Sequence, residues 1–318
     1  MSEFDGDSQE NGGGGVNPLL VAALGLAVTF FLYQFVGAGL VFLLFGLDFT
    51  SANPNLVRLM NSAVQVLFLL LPALVLAKHF FNSPTILLSA HPVSWKYVAL
   101  FGLGMTVVLP LISSLGVVIL YAFQELARVN AGFAEFKLVL DELNTQLNAQ
   151  YKFLLGFTNP LDMAIIVFVV AFTPAVAEEF LFRGFFMGAL GVRLSAAATL
   201  TITSFIFAFL HFHPYGFLPL LVLSFYFGYA LLRSGSILIP MLLHGINNLV
   251  SVLLVFFGIE TPEFSTEAIS YTDFTTSLFA LLVLTVIAVV FVFGVEYGHR
   301  NGYLNTEMKG IDDAEDNA

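Results

Sequence analysis

The sequence predicts an all-α, polytopic membrane protein with about eight transmembrane helices and one amphipathic helix. Of its 318 residues, 58% are hydrophobic and only 10% are charged, whereas soluble domains carry about 25% charged residues. Several apolar runs reach the roughly 20 residues that cross a bilayer as a helix. These runs are continuous rather than alternating, so the pattern is not that of a transmembrane β-barrel.

Eight apolar runs are interpreted as membrane spans, because each is long enough to cross most of the hydrocarbon core at 1.5 Å per helical residue. The first run lacks the basic flank of a cleavable signal peptide and is too long for one, so we expect it to be a retained span. In chain order the eight spans cover residues 18–46, 62–81, 97–123, 160–183, 195–213, 217–233, 236–257 and 275–297.

The segment 124–155 differs from the spans because charged residues alternate there with Leu, Phe and Val at helical spacing. This pattern predicts an amphipathic helix that lies at the membrane interface or caps the bundle. A solvated linker helix is the alternative interpretation.

The chain divides into two acidic tails and one membrane domain. Residues 1–17 are predicted to be a disordered acidic tail and residues 299–318 a second acidic tail; together they hold nine of the 22 acidic residues. Residues 18–298 form the membrane domain, and 160–257 is its predicted catalytic half.

Lys and Arg positions predict the orientation, since cytoplasmic loops are enriched in both. With the N-terminus inside, seven basic residues face the cytoplasm and four the other side, so we expect both termini to be cytoplasmic, in a prokaryotic plasma membrane. The seven are Lys78, Lys96, Arg183, Arg193, Arg233, Arg300 and Lys309, and the four are Arg58, Arg128, Lys137 and Lys152.

Two classes of function are excluded by composition. The chain has no cysteine, so it has no disulfide framework, thiolate nucleophile or Cys-ligated metal. It has no basic patch, so we expect no nucleic-acid partner. The lipid bilayer is the partner that the composition itself implies.

Three polar clusters interrupt the apolar runs, and the first ends the fourth predicted span. Glu179 and Arg183 are four residues apart, so on a helix they share a face and can pair. Glu178 is rotated by about 100° and can act elsewhere. The alternative is an ion pair at the membrane boundary with both acids near the headgroups.

The second and third clusters contribute imidazole and amide groups. His211 follows Phe207 by one helical turn, so the two rings are expected to stack. His244 and Asn248 are likewise one turn apart on an apolar helix. Each cluster alone could be a packing histidine or a polar contact that joins helices by hydrogen bonds.

Taken together, the clusters favour a hydrolytic site. A charged residue at the centre of a membrane helix costs roughly 2.5–3.5 kcal/mol, so such residues usually face a cavity and each other. The sequence has neither the HExxH zinc signature nor the GxSxG nucleophile elbow. An ion- or proton-coupled transporter and a non-catalytic membrane scaffold are the alternatives.

The motifs EExxxR, FxxxH and HxxxN, in this order on consecutive apolar segments of 160–257, resemble the CPBP intramembrane protease family. That family includes the type II CAAX prenyl endopeptidases and the abortive-infection proteins. The resemblance implies an endopeptidase that acts on membrane-associated peptides or proteins, some of them prenylated.

The resemblance also implies roles for six catalytic residues. Glu178 would activate water with Glu179 as its partner, Arg183 would complete the motif, and His211 would orient the water. His244 and Asn248 would hold the oxyanion. We favour a metal-independent mechanism with no cofactor. A metalloprotease with a divalent ion such as zinc, held by Glu178, His211 and His244, is the alternative, because three protein ligands and a water are common in zinc hydrolases.

Overall fold

The computed structural model describes residues 17–46, 52–81, 93–259 and 268–304. Within these ranges the chain forms nine helices and no strand. Seven of them are long and apolar enough to cross a membrane, so the prediction of a multi-spanning helical membrane protein is confirmed. The helices are α1 (Pro18–Phe45), α2 (Pro54–Phe80), α3 (Trp95–Val129), α4 (Ala131–Leu155), α5 (Pro160–Gly191), α6 (Ala196–Leu210), α7 (Phe217–Ser234), α8 (Leu238–Phe256) and α9 (Tyr271–Arg300).

The fifth predicted span, 195–213, corresponds to a helix that is shorter than the seven spanning helices. Helix α6 has 15 residues, a length of about 22 Å against a hydrocarbon core of about 30 Å. The chain leaves the helix at His211 and turns over residues 211–216, where Phe212 has a φ of 48°. Helix α6 packs on α7, and the two form a hairpin whose tip is this turn.

Two other boundaries differ from the predicted ones. Helix α2 begins at Pro54 rather than at 62, because the Asn53 side chain accepts the backbone N–H groups of Asn55 and Leu56 and Pro54 takes the first helical position. Helix α9 continues to Arg300, past the predicted domain end at 298. The predicted tails at 1–16 and 305–318 lie outside the described residues.

The predicted amphipathic segment 124–155 is divided between two helices. Helix α3 continues to Val129, and the Asn130 side chain caps α4 by accepting the Phe133 N–H at 2.9 Å. At the other end of α4, the buried Arg58 of α2 donates to the carbonyls of Leu154, at 2.8 Å, and of Gly156. These carbonyls lack helical partners, so a cation there is favourable.

Helix α4 also holds the tip of the α6–α7 hairpin. Asp141 accepts the Tyr215 hydroxyl at 2.5 Å and pairs with Lys137 at 2.7 Å. Burial raises the pKa of Tyr215, and the adjacent carboxylate raises it further, so the phenol stays protonated and remains the donor. Because α4 is tied to both α2 and the hairpin tip, it caps the bundle rather than linking two spans freely.

Helix α5 is irregular where it carries the first polar cluster. It contains two π-helical segments, Val167–Phe172 and Phe180–Phe186, on either side of the α-helical Thr173–Glu179. Pro174 lacks a backbone N–H, so it cannot donate to the carbonyl of Val170 one turn earlier. Such π segments are rare and often mark functional sites.

Two buried apolar clusters meet around α5. The first joins α1, α2, α5 and α6 and includes Phe185 and Phe207. The second joins α3, α7, α8 and α9 and includes Phe227 and Leu243. The polar side chains of α5 lie where these clusters meet, so they are shielded from lipid on several sides.

Candidate active site

A buried three-residue network forms the deepest part of the site. Oε1 of Glu179 accepts hydrogen bonds from Nη1 of Arg183 at 2.9 Å and from Nδ1 of His244 at 2.8 Å. The side chains of Glu179 and Arg183 have no solvent exposure. Charges buried this completely are tolerated only when they are paired and hydrogen-bonded. This network pairs the two charges, but within the described part of the chain Oε2 of Glu179 and Nε of Arg183 have no hydrogen-bonding partner.

Arg183 is held from three directions. Its Nη2 donates to the hydroxyl of Ser224 at 2.8 Å and to the Ser224 carbonyl at 3.2 Å. Its guanidinium lies 4.5 Å from the centre of the Phe207 ring and 5.6 Å from that of Phe227. Cation–π contacts of this kind strengthen where water is excluded, so Arg183 joins α5, α6 and α7.

Glu178 points away from this network and faces His211. Oε2 of Glu178 lies 3.6 Å from Nε2 of His211, and both side chains retain partial exposure. A separation of 3.6 Å is longer than a direct N–H···O hydrogen bond. Within the described part of the chain, this Glu178 oxygen has no hydrogen-bonding partner.

The orientation of His211 is set by the end of α6. Its Nδ1 lies 2.6 Å from the carbonyl oxygen of Phe207, and its ring lies 4.4 Å from the Phe207 ring. A carbonyl only accepts, so Nδ1 carries a proton, and Nε2 presents a lone pair to Glu178 when the ring is neutral. A carboxylate and a lone pair that face each other can both accept from one water molecule.

Asn248 is engaged on α5 and with its neighbour. Its Nδ2 donates to the carbonyl of Val170 at 3.1 Å. This carbonyl lacks a helical donor because Pro174, one turn later, has no backbone N–H. Its Oδ1 accepts from Nδ2 of Asn247 at 3.0 Å. One amide hydrogen of Asn248 remains for another acceptor.

His244 reaches Glu179 rather than standing free beside Asn248. Because Nδ1 donates to Glu179, Nε2 of the neutral ring is an acceptor, and it donates only when the ring is an imidazolium. Its ring stacks on Phe227 with centroids 5.5 Å apart. Any oxyanion contact from His244 therefore requires the protonated ring.

The structure does not assemble the candidate metal ligands. In ranges 17–46, 52–81, 93–259 and 268–304, no three His, Asp or Glu side chains are placed to hold one ion. Glu178 and His211 are neighbours, but His244 is bonded to Glu179 instead. The trio does not fit a zinc site, and no step is derived through a metal.

Sequence reasoning missed three features that support the site. Ser224 and Phe227 of α7 contact Arg183 and His244, but no motif marks them. Tyr33 of α1 lies within electrostatic reach of Glu178, although α1 carries no diagnostic residue. The Val170 carbonyl, which accepts from Asn248, could have been identified from the sequence, because Pro174 four residues later leaves it without a helical donor.

The comparisons with known proteins concern the same part of the chain. Residues 160–250 match a family model described as Rce1-like, type II CAAX prenyl endopeptidase. No curated protein and no solved structure matches the chain. The match contains all six predicted site residues, in the order EExxxR, FxxxH and HxxxN. Residues 160–250 of this chain are therefore similar to the Rce1-like type II CAAX prenyl endopeptidases, which supports the resemblance inferred from the sequence motifs.

Proposed function

We propose that this protein is an intramembrane endopeptidase whose Glu178 activates a water molecule to cleave peptide bonds. The observation that carries the proposal is the pair of acceptors, Glu178 Oε2 and His211 Nε2, which lie 3.6 Å apart on side chains that are partly exposed. A water that donates one hydrogen to each acceptor directs a lone pair of its oxygen outward, toward a substrate carbonyl carbon. The family match independently implies a protease.

The chemistry would proceed by general-base hydrolysis. As the water oxygen bonds to the carbonyl carbon, its proton moves to Glu178. The resulting oxyanion would accept from the free amide hydrogen of Asn248 and from Nε2 of protonated His244. The carbon–nitrogen bond then breaks, and the departing nitrogen takes the proton back from Glu178, which regenerates the base.

Glu179 and Arg183 would act indirectly in this scheme. Glu179 orients His244, and Arg183 balances the negative charge of Glu179 in the buried network. A separate carboxylate, Glu178, is thereby left unpaired and available as the base. The division between the two adjacent acids supports a catalytic rather than a purely structural arrangement.

The substrate class we propose is a membrane-associated protein with a prenylated CAAX-type C-terminus, as the family description indicates. The enzyme would sit in a prokaryotic plasma membrane with both termini cytoplasmic, because basic residues are more numerous on that side. These finer assignments rest on the family and on charge distribution.

The proposal is tested by comparing protein termini in membranes of cells that carry the natural protein, Glu178→Ala or Glu142→Ala at equal abundance. Glu142 lies on α4 and is the matched control. Termini that appear with the natural protein and with Glu142→Ala, but not with Glu178→Ala, would support proteolysis. Identical termini in all three would overturn it and favour a scaffold; ion or proton flux in liposomes would favour a transporter.

A further inference from the structure

A groove of about 340 Å³ lies between α1, α2 and α4. Its volume is within the range of small-molecule and peptide subsites. The lining includes no charged side chain among the described residues, and its polar part is made of neutral groups. A phosphate, a carboxylate or a free cation would therefore find no counter-charge in this groove.

Three carboxamide side chains from three helices converge on the groove: Gln34 of α1, Asn61 of α2 and Gln150 of α4. Gln34 and Gln150 are exposed and Asn61 is half-buried, so their amides are accessible to a bound ligand. Polar groups at membrane depth are costly unless they line a cavity or find partners. Each amide offers both a carbonyl acceptor and N–H donors, which is the complement of a peptide main chain.

The groove approaches the catalytic carboxylate at one end. Tyr33 lines it and packs against the buried apolar cluster that includes Ala177 and Leu181, which flank Glu178 on α5. The lining on α1 extends from Tyr33 to Gly46, about 20 Å along the helix. An extended peptide covers that length with about six residues.

We propose that this groove binds an extended segment of the substrate polypeptide, with Gln34, Asn61 and Gln150 hydrogen-bonded to its main chain. The inference rests on the proposed endopeptidase function and adds the location of the bound substrate segment. A segment bound here would enter between α1 and α2, below α4, and would present its next carbonyl to Glu178. Recognition through main-chain groups would accept many side-chain sequences.

The test measures binding without cleavage. The probe is a fluorescent peptide of about ten residues that ends in a farnesylated CAAX sequence, and every variant carries Glu178→Gln so that the probe survives. Fluorescence anisotropy in detergent gives Kd for Gln34→Leu, Gln150→Leu and the matched control Gln146→Leu. Gln146 is exposed one turn before Gln150 and bonds to Glu142 instead.

We expect Gln34→Leu and Gln150→Leu each to raise Kd about two- to tenfold, as loss of one hydrogen bond does, and Gln146→Leu to leave it unchanged. A second kind of variant, Ala38→Trp, would place a large side chain at an exposed position of the groove lining and raise Kd further. Monodisperse elution on size exclusion verifies that each variant is folded.

Unchanged Kd in the amide variants and in Ala38→Trp would overturn the proposal that the groove binds the substrate. Failure of the Glu178→Gln protein to bind the probe would overturn it as well. A separate result bears on the proposed function. If the natural protein binds the probe through the groove but does not cleave it, the proposed peptide-binding role of the groove is supported and the proposed endopeptidase function is wrong.

Discussion

Replacing Arg183 with Met should destabilise the protein far more than loss of an ordinary ion pair does. Both Arg183 and Glu179 have no exposure, and Arg183 supplies one of the two hydrogen bonds to Glu179 Oε1. Its removal leaves a buried carboxylate with His244 alone and Ser224 without its donor. Breaking a buried pair in this way costs about 3–5 kcal/mol, a large share of the 5–15 kcal/mol typical of a domain.

The assay is the free energy of unfolding in mixed micelles, obtained by titration with sodium dodecyl sulfate and read from the helical circular dichroism. Arg128→Met is the control, because the Arg128–Glu125 pair is exposed, with side-chain exposures of 62% and 38%. An exposed pair contributes about 0–1 kcal/mol. The double variant Glu179→Gln/Arg183→Met should recover part of the loss, since it removes both charges and keeps an acceptor for His244.

Two results would refute this reasoning. If Arg183→Met costs no more than Arg128→Met, the buried pair contributes nothing beyond a surface pair. A double variant less stable than Arg183→Met would mean that the cost does not come from an uncompensated charge.

Three further changes test other contacts. Asn248→Leu should lower the free energy of unfolding by about 1–3 kcal/mol, because it leaves the Val170 carbonyl without a donor. Asn247→Leu should cost less, and equal losses in the two variants would contradict the hydrogen bond from Asn248 to Val170. Tyr215→Phe should cost about 0.5–1.5 kcal/mol and expose the 211–216 turn to limited proteolysis; unchanged proteolysis would argue against a tie to α4. Arg58→Met should increase hydrogen exchange at the C-terminal turn of α4, and equal exchange there would refute the capping role.

Much of the fold follows from local sequence, and so does part of the site. The Glu179–Arg183 pair was predicted from a spacing of four residues and is present. Phe207 and His211 were predicted to stack; their rings are in contact but are tilted by 45°. The apolar runs identify the spanning helices because length and hydrophobicity decide membrane insertion.

The rest depends on contacts between distant parts of the chain. The His244–Glu179 hydrogen bond joins residues 65 positions apart, so helical spacing could not reveal it. Helix α6 ends at Leu210, earlier than the predicted span at 213, because the chain already turns at His211 and no local pattern before Pro214 marks that turn. No local pattern indicated that α4 would be held by Arg58 at one end.

The most direct test of the central claim is cleavage of the farnesylated peptide by purified protein in water enriched in ¹⁸O. The account predicts that one ¹⁸O atom from solvent appears in the new carboxylate, and that Glu178→Gln lowers the rate by a factor of about 10²–10⁴. Glu142→Gln should retain the natural rate, and all three proteins should elute as folded species. Cleavage by Glu178→Gln at the natural rate would contradict the account.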